Sequence, residues 1–330
     1  RRRDALELKS LARDLIAMGA PRLARVPLDE ELRAAVDDAR RIRSNVARKR
    51  QLQFVAKLLR RIIADDEIAN AGDDVDPAYL PDGRIVFSSN RQEKSRRVLE
   101  SQGVEPYAHR DEYERERAIL LHVMDGDGGD IRQISFNQSH DRNPTVLSTG
   151  EIMFARWDHV GNRNHFPIFF TNPDGTNIFV QYGAFSPGNS FLHPREMPDG
   201  RVLSALMPLS GTREGGALVA VDIRNFSEND EPASSAVPAD AKGQQQVTLF
   251  DINFGREISQ FGRYTTPYPL WDGTPRALVS WSPFRPAEET NPLTGEVMEV
   301  EGEPLYGVYM FDMQAQTLRP VALPEEGWAY

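Results

Sequence analysis

The sequence predicts an all-β propeller that is preceded by a small α-helical segment. Apolar residues recur at three- or four-residue spacing over residues 1–61, and at every second position from about Ala71 onward. Four similar turn-and-strand repeats follow this change of period. The charge also changes sign. Residues 1–61 hold 17 Lys and Arg against 8 Asp and Glu, a net of +9, and the other 269 residues carry −19 within a chain of net charge −10. Such asymmetry indicates separate partners for the two parts.

The composition is that of a globular protein with a real core, with 40% hydrophobic and 27% charged residues in 330. Cysteine is absent, which excludes disulfides, thiolate metal sites and the cysteine attachment of c-type haem. No run of about 18 apolar residues predicts a membrane span, and the charged first residues do not lead into a signal peptide. The chain as given is therefore expected to be cytoplasmic.

The N-terminal part predicts two or three amphipathic helices. The first covers residues 4–18 and ends at Gly19 and Pro21. The second follows Pro27, where Asp29 can cap free backbone N–H groups. The third covers residues 46–62. We place the helical segment at 1–63, a junction at 64–75 and the propeller at 76–330.

Basic residues are concentrated at the end of the second helix and along the third, without an acidic residue between 43 and 61. Such a run is typical either of a solvated helix face or of a surface that contacts phosphates. Phe54 is the only aromatic residue of the segment, so we expect binding of structured RNA through charge and shape. The candidate RNA-binding residues are Arg40, Arg41, Arg43, Arg48, Lys49, Arg50, Lys57, Arg60 and Arg61.

Three strings in this segment, RDALELK at 3–9, VPLDEELRAA at 26–35 and RKRQLQFVAKLLR at 48–60, keep their order and spacing. In these strings the segment resembles the YjgA/DarP (DUF615) family. The resemblance implies association with the large ribosomal subunit during its assembly, or with its rRNA.

The β part repeats a turn followed by an apolar strand, with the turn glycines at Gly83, Gly150, Gly200 and Gly273. Each repeat continues into a second hairpin, as in four-stranded propeller blades. Four blades are visible, and polar insertions at 91–117, 225–246 and 285–303 lengthen the repeats. The aspartate- and glycine-rich stretch 125–130 lacks the glutamate of a calcium-binding loop, so we interpret it as a hairpin turn.

Longer strings in the β part are MDGDGGDIRQ at 124–133, NQSHDRNPTVL at 137–147, RWDH at 156–159, PREMPDGR at 194–201 and YPLWDG at 268–273. The turns resemble those of TolB-like propellers with PD40-type repeats. The longer strings are similar to the propeller of proteins related to the hydrazine synthase alpha subunit. That resemblance implies a ring of six blades, which we expect to be incomplete here with four, and exported or periplasmic relatives. It does not imply hydrazine synthesis, because a chain without cysteine cannot anchor c-type haem.

Histidines and carboxylates in turn-like segments form a candidate ligand-binding set at one mouth of the propeller. The alternative is that they brace loops through hydrogen bonds. Trp157, Trp271 and Trp281 are interpreted as blade packing, with a platform for a ligand as the alternative. The candidate ligand-binding residues are His140, Asp141, Asp158, His159, His165 and His193.

Three functions remain open. The first is a non-enzymatic scaffold that binds a protein or small ligand through the propeller. The second is rRNA binding and large-subunit assembly through the helices. The third is a metal- or ligand-dependent enzyme at the propeller mouth, although the sequence identifies no catalytic residues, no cofactor and no metal site. The two parts imply different compartments, so either a natural fusion or an artefactual joining of two incomplete genes would explain their combination.

Overall fold

The structure is a computed structural model of the chain. It describes residues 2–23, 26, 28, 30–42, 44–69, 72–103, 117–161, 163–185, 190–207, 215–238, 240–248, 258–291 and 295–324. The chain divides into two compact units, Arg1–Gly72 and Asp73–Tyr330. We call them the helical unit and the propeller unit. No helix in the described part of the chain is long and apolar enough to cross a membrane.

The helical unit contains α1 (Arg2–Ala17), the single turn α2 (Ala20–Leu23), α3 (Glu30–Arg41) and α4 (Asn45–Ala69). Helix α4 extends beyond residue 62, where the sequence predicted the end of the third helix. The apolar stripes of α1, α3 and α4 meet in one buried core, because each helix repeats its apolar residues at helical spacing. That core includes Leu15, Leu32, Val36, Val55 and Leu59.

The described residues of the propeller unit form four antiparallel four-stranded sheets. Blade 1 consists of β1 (Asp74–Tyr79), β2 (Ile85–Ser89), β3 (Leu120–Met124) and β4 (Arg132–Gln133). Blade 2 consists of β5 (Asp141–Val146), β6 (Ile152–Arg156), β9 (Ile168–Thr171) and β10 (Phe179–Tyr182), and the ribbon of β7 (Asp158–Val160) and β8 (Arg163–His165) lies between β6 and β9 in the chain.

Blade 3 consists of β11 (Ser190–Glu196), β12 (Val202–Met207), β13 (Ala217–Val221) and β16 (Gln244–Gln246), with the ribbon β14 (Phe226–Glu228) and β15 (Glu231–Pro232) inserted before β16. Blade 4 consists of β17 (Arg263–Pro269), β18 (Arg276–Ser282), β21 (Gly307–Asp312) and β22 (Thr317–Ala322), with the ribbon β19 (Pro286–Thr290) and β20 (Val297–Glu301) inserted before β21.

Neighbouring blades pack face to face through separate apolar clusters. Phe154 of blade 2 packs with Leu121 of blade 1, Phe191 of blade 3 packs with Met153 of blade 2, and Phe311 of blade 4 packs with Leu203 of blade 3. The first strands of successive blades also contact one another, β1 with β5, β5 with β11 and β11 with β17. Sheets packed radially around their first strands are the arrangement of a propeller, which confirms the predicted fold class.

The predicted turns close as expected. Leu80 N–H donates to Arg84 O at 2.8 Å, and Met197 N–H donates to Arg201 O at 2.8 Å. Gly83 has a φ of +87°, which a residue with a side chain adopts only under strain. The 125–130 stretch is the predicted hairpin turn, since Asp125 N–H donates to Gly129 O at 2.8 Å. The insertions are more structured than loops: they contain α5 (Glu93–Ser101) and the ribbons of blades 3 and 4.

Candidate nucleic-acid interface and ligand cavity

Helix α4 turns a basic side away from the helical core. Val55, Ala56, Leu58 and Leu59 are buried, whereas Arg48, Lys49, Arg50 and Lys57 are exposed and Phe54 is 43% exposed. We call Arg48, Lys49, Arg50, Phe54 and Lys57 the α4 basic face. The separation follows from the helical period, because positions 50, 54 and 57 fall opposite the buried stripe.

The cations of the α4 basic face have no acidic partner among the described residues. Arg41 differs, since its guanidinium lies 3.5 Å from the Asp38 carboxylate, and Arg40 is partly buried. Arg43 lies outside the described residues, as do the side chains of Arg60 and Arg61. Unpaired cations of one sign on a helix can contact successive phosphates, and the exposed ring of Phe54 between them can stack on a base.

The first strand of every blade has an unusual backbone at the same place. Asp76, Asn143, His193 and Thr266 have φ values of +54°, +54°, +51° and +49°. Each precedes a proline, and each lies where the pairing register with the next strand shifts. Bulges of this kind re-aim the side chains that follow, and strained backbone is concentrated at functional sites.

Hydrogen bonds join the bulges of blades 1, 2 and 3. Asn143 donates its Nδ2–H to Asp76 Oδ2 at 2.9 Å, and His193 N–H donates to Asn143 Oδ1 at 3.2 Å. The Nδ1 atom of His193 is buried and has no hydrogen-bond partner among the described residues. Burial lowers the pKa of His193 to about 4, against the opposing charge of Asp76. His193 is therefore neutral near pH 7.

A cavity of about 330 Å³ opens beside the bulges of blades 2, 3 and 4. Arg195 and Tyr268, each two residues after a bulge, line it together with Trp271. Tyr268 and Trp271 are 57% and 59% exposed. The nine lining residues are Thr145, Val146, Leu147, Ser148, Arg195, Glu196, Tyr268, Pro269 and Trp271.

The electrostatics of the cavity centre on Arg195. Burial lowers the pKa of its guanidinium, which nevertheless stays charged in proteins. Nη1 of Arg195 donates to Pro194 O at 3.1 Å, the one hydrogen bond of this side chain among the described residues. Glu196 is already occupied, because its carboxylate accepts from Ser148 N at 2.6 Å and from Ser148 Oγ at 2.8 Å. A cation with free donors thus faces aromatic surface.

Of the predicted ligand set, His140 and Asp141 are buried and brace the blades. Ile119 N–H donates to His140 Nδ1 at 3.0 Å, and the His140 ring stacks on Trp157 at 5.5 Å. Asp141 accepts from Arg156 Nε at 2.7 Å and Nη2 at 2.8 Å. These contacts agree with the alternative that this pair braces loops through hydrogen bonds instead of binding a ligand.

Other members of the set lie in or beside the β7–β8 ribbon. Asp158 lies 3.5 Å from the Arg163 guanidinium, and the His159 ring stacks on Trp157 at 6.0 Å. His165 is fully buried, with Nε2 at 3.0 Å from Gly183 O. Within the described ranges no three His, Asp or Glu residues gather as a metal site would require.

None of the nine cavity residues was among the predicted site residues. The predicted His193 lies in the same strand as the cavity residue Arg195, two residues before it. Trp271 was interpreted as blade packing, but its exposure and its place in the cavity correct that interpretation, whereas Trp281 does pack against Tyr309 at 5.2 Å between ring centroids. A signal was present in the sequence. A residue other than glycine precedes proline in the first strand of every blade, and in blades 2, 3 and 4 the second residue after it lines the cavity.

A family model matches the N-terminal part of the chain and crosses from the helical unit into the propeller unit. The family model for dual-action ribosomal maturation protein DarP matches residues 1–119, which include the whole helical unit and the first two strands of blade 1. The DarP of Xanthomonas campestris pv. campestris strain 8004 is 33% identical over 142 residues, 43% of this chain and 68% of that protein. The DarP of Edwardsiella ictaluri is 50% identical over 60 residues, 18% of this chain and 32% of that protein.

Two solved structures are similar to the propeller unit at low identity. Hydrazine synthase of Kuenenia stuttgartiensis is 19% identical with a TM-score of 0.47, over 74% of this chain and 28% of that chain. TolB of Acinetobacter baumannii is 12% identical with a TM-score of 0.42, over 77% of this chain and 44% of that chain. The chain therefore spans less than half of each of these two proteins.

The resemblance carried by the helical strings is confirmed over a longer stretch than residues 1–61, and it covers more than two thirds of the Xanthomonas relative. The chain belongs to the family of the dual-action ribosomal maturation protein DarP.

Proposed function

We propose that the helical unit acts in ribosomal maturation by binding rRNA of the large subunit through the α4 basic face. The observation that supports this most is the cluster of exposed cations along α4, Arg48, Lys49, Arg50 and Lys57, of which Arg50 and Lys57 lie opposite the buried stripe. Membership of the DarP family supports the ribosomal context. Such a role places the protein's work in the cytoplasm.

The test is binding of the full chain to large-subunit rRNA on a filter. Changing Arg48, Lys49 and Arg50 to Glu replaces three attractive charges by three repulsive ones, and we expect at least a hundredfold weaker binding at low salt. The matched control changes Arg84, Arg132 and Arg201 to Glu, which alters the net charge equally on propeller turns. Equal weakening by both variants would show a net-charge effect and overturn the proposal.

For the propeller unit we propose a non-enzymatic binding scaffold. The 330 Å³ cavity favours this, since it has the size and mixed polar and aromatic lining of a small-ligand site. The described histidines support a structural role more than a catalytic one, because His140 and His165 are buried and hydrogen-bonded to the backbone. A screen of small neutral and charged fragments by ligand-observed NMR tests the scaffold. Loss of every hit's signal on Trp271→Ala is expected, and the absence of hits would contradict it.

A further inference from the structure

The cavity contains a cation whose hydrogen-bonding capacity is largely unused. A guanidinium carries five N–H donors, and one hydrogen bond of Arg195, to Pro194 O, occurs within the described residues. The next carboxylate along the strand, Glu196, is held by Ser148. Asp76 attracts Arg195 electrostatically but does not form an ion pair with it in the described part of the chain. A partly buried cation in this position favours an anion that could supply the missing acceptors.

The other residues that line the cavity indicate which chemical group the bound anion carries. Tyr268 and Trp271, both more than half exposed to solvent, contribute aromatic surface to the lining, while Val146 and Leu147 add apolar wall. Aromatic side chains bind planar groups by stacking or edge contacts. At about 330 Å³, the cavity is at the small end of ligand sites.

The charge balance favours a single negative charge. Asp76 and Glu196 lie near Arg195, and His193 is neutral at pH 7 because its pKa is lowered to about 4. A phosphate monoester carries a charge of about −1.5 to −2, so one guanidinium next to these carboxylates would compensate it poorly. A carboxylate matches both the single charge and the fork geometry of the guanidinium.

We infer that this cavity binds a monocarboxylate attached to a planar apolar group, with Arg195 on the carboxylate and Trp271 with Tyr268 on the apolar part. The inference rests on the proposal that the propeller unit is a binding scaffold, whose ligand class it names. The same chemistry could come from a free aromatic acid or from the C-terminus of a peptide that ends in an aromatic residue.

The test is calorimetric titration of the full chain with phenylacetate, phenylacetamide, inorganic phosphate, and an N-acetylated peptide ending in Phe with a free or amidated C-terminus. Saturable binding of phenylacetate with at least tenfold weaker binding of phenylacetamide supports the inference. Binding of the free-acid peptide alone would assign the carboxylate to a chain terminus and also supports it. Tighter binding of phosphate than of either acid would overturn it.

Variants locate the site. Arg195→Gln is expected to weaken phenylacetate binding at least tenfold, since a charge-assisted pair is lost, and Arg195→Lys should weaken it less. Trp271 is 59% exposed, so Trp271→Ala leaves the fold intact and keeps the test decisive if Arg195→Gln fails to fold. The control, Arg201→Gln, lies on an exposed turn paired with Asp199 and should change nothing.

The outcomes separate the two proposals. Neutral fragments that bind in a Trp271-dependent way, while both acids fail, would overturn the ligand class and leave the scaffold standing. Failure of all fragments and both acids on a folded protein would overturn both. Phenylacetate binding that is unchanged in Arg195→Gln and Trp271→Ala would place the acid elsewhere and overturn the inference.

Discussion

Arg263 and Glu301 form a buried two-point ion pair, with Nε–Oε1 and Nη2–Oε2 distances of 2.8 Å each. Arg263 begins β17 and Glu301 ends β20, so the pair ties the inserted ribbon of blade 4 to its first strand. Arg263 Nη1 also donates to Gly215 O at 3.3 Å. The Arg263 side chain is 2% exposed, and within the described residues its charge is balanced by this single carboxylate.

We expect Glu301→Gln to lower the free energy of unfolding by about 3–5 kcal/mol, because it leaves a buried guanidinium without its counter-charge. All four tryptophans lie in the propeller unit, so tryptophan fluorescence in urea follows its unfolding. The control is Lys242→Gln, which breaks an exposed pair with Asp230 and should cost less than about 1 kcal/mol. Equal costs for the two variants would contradict a buried pair.

A substitution at the turn residue Gly83 tests the strain of the backbone conformation separately from any change in side-chain packing. A Cβ added at Gly83 meets nothing within 4 Å, but the φ there is +87°. Gly83→Ala should therefore cost about 1–2 kcal/mol through strain alone, and Gly83→Asn should cost less, since Asn tolerates positive φ. Urea unfolding of the two variants measures the difference. A harmless Gly83→Ala would mean that the turn adopts another conformation.

His193 should make the propeller unit less stable in mild acid. Its pKa falls from an ordinary 6.5 to about 4 in the folded state, so the unfolded chain binds the proton more readily between these values. Stability is fully present above pH 6.5 and falls as the pH drops towards 4, by at most about 3 kcal/mol. Burial lowers the pKa of His122 in the same direction.

The measurement is the free energy of unfolding from pH 7 to pH 4 for the natural chain and His193→Asn. The difference between them isolates His193 from His122, which both proteins retain. We expect the slope with pH to be smaller in the variant. Parallel curves would show that His193 binds its proton equally well in the folded and unfolded states.

Salt dependence tests whether the α4 basic face contacts phosphates. Each Lys or Arg on a phosphate adds roughly one to the slope of log K against log salt concentration. Changing Arg48, Lys49 and Arg50 to Gln should therefore reduce that slope by about three in rRNA binding. Phe54→Leu should weaken binding without changing the slope, because stacking releases no counterions. A slope unaffected by the three Gln substitutions would exclude these residues from phosphate contact.

The propeller could be predicted from the sequence because its signals are local. Pro-Asp-Gly turns fix the chain reversals at Gly83 and Gly200, and alternating apolar residues fix the strand faces. Helix α3 was predicted nearly to its bounds for the same reason, since Leu32, Val36 and Ala39 repeat at helical spacing. The ribbon β19–β20 was predicted only as an insertion, because its largely exposed strands mix acidic and apolar residues and bury no apolar face that would reveal their period.

The cavity could not be predicted, because it is formed by residues far apart in the chain. Arg195 and Tyr268 reach it from neighbouring blades, and only the packing of the first strands brings them together. The histidines were predicted to bind a ligand because imidazole is a competent ligand, yet His140 and His165 form hydrogen bonds with backbone groups. The α4 basic face was easier to predict, since one helix carries all of it and helical spacing places Arg50 and Lys57 opposite the buried stripe.

Co-sedimentation with purified large ribosomal subunits in a sucrose gradient tests the central claim most directly. The full chain should travel with the subunit at low salt, and the variant with Arg48, Lys49 and Arg50 changed to Glu should remain at the top. The propeller variant with Arg84, Arg132 and Arg201 changed to Glu should still travel with the subunit. A natural chain that stays at the top, or an α4 variant that travels undiminished, would contradict ribosomal binding through this face.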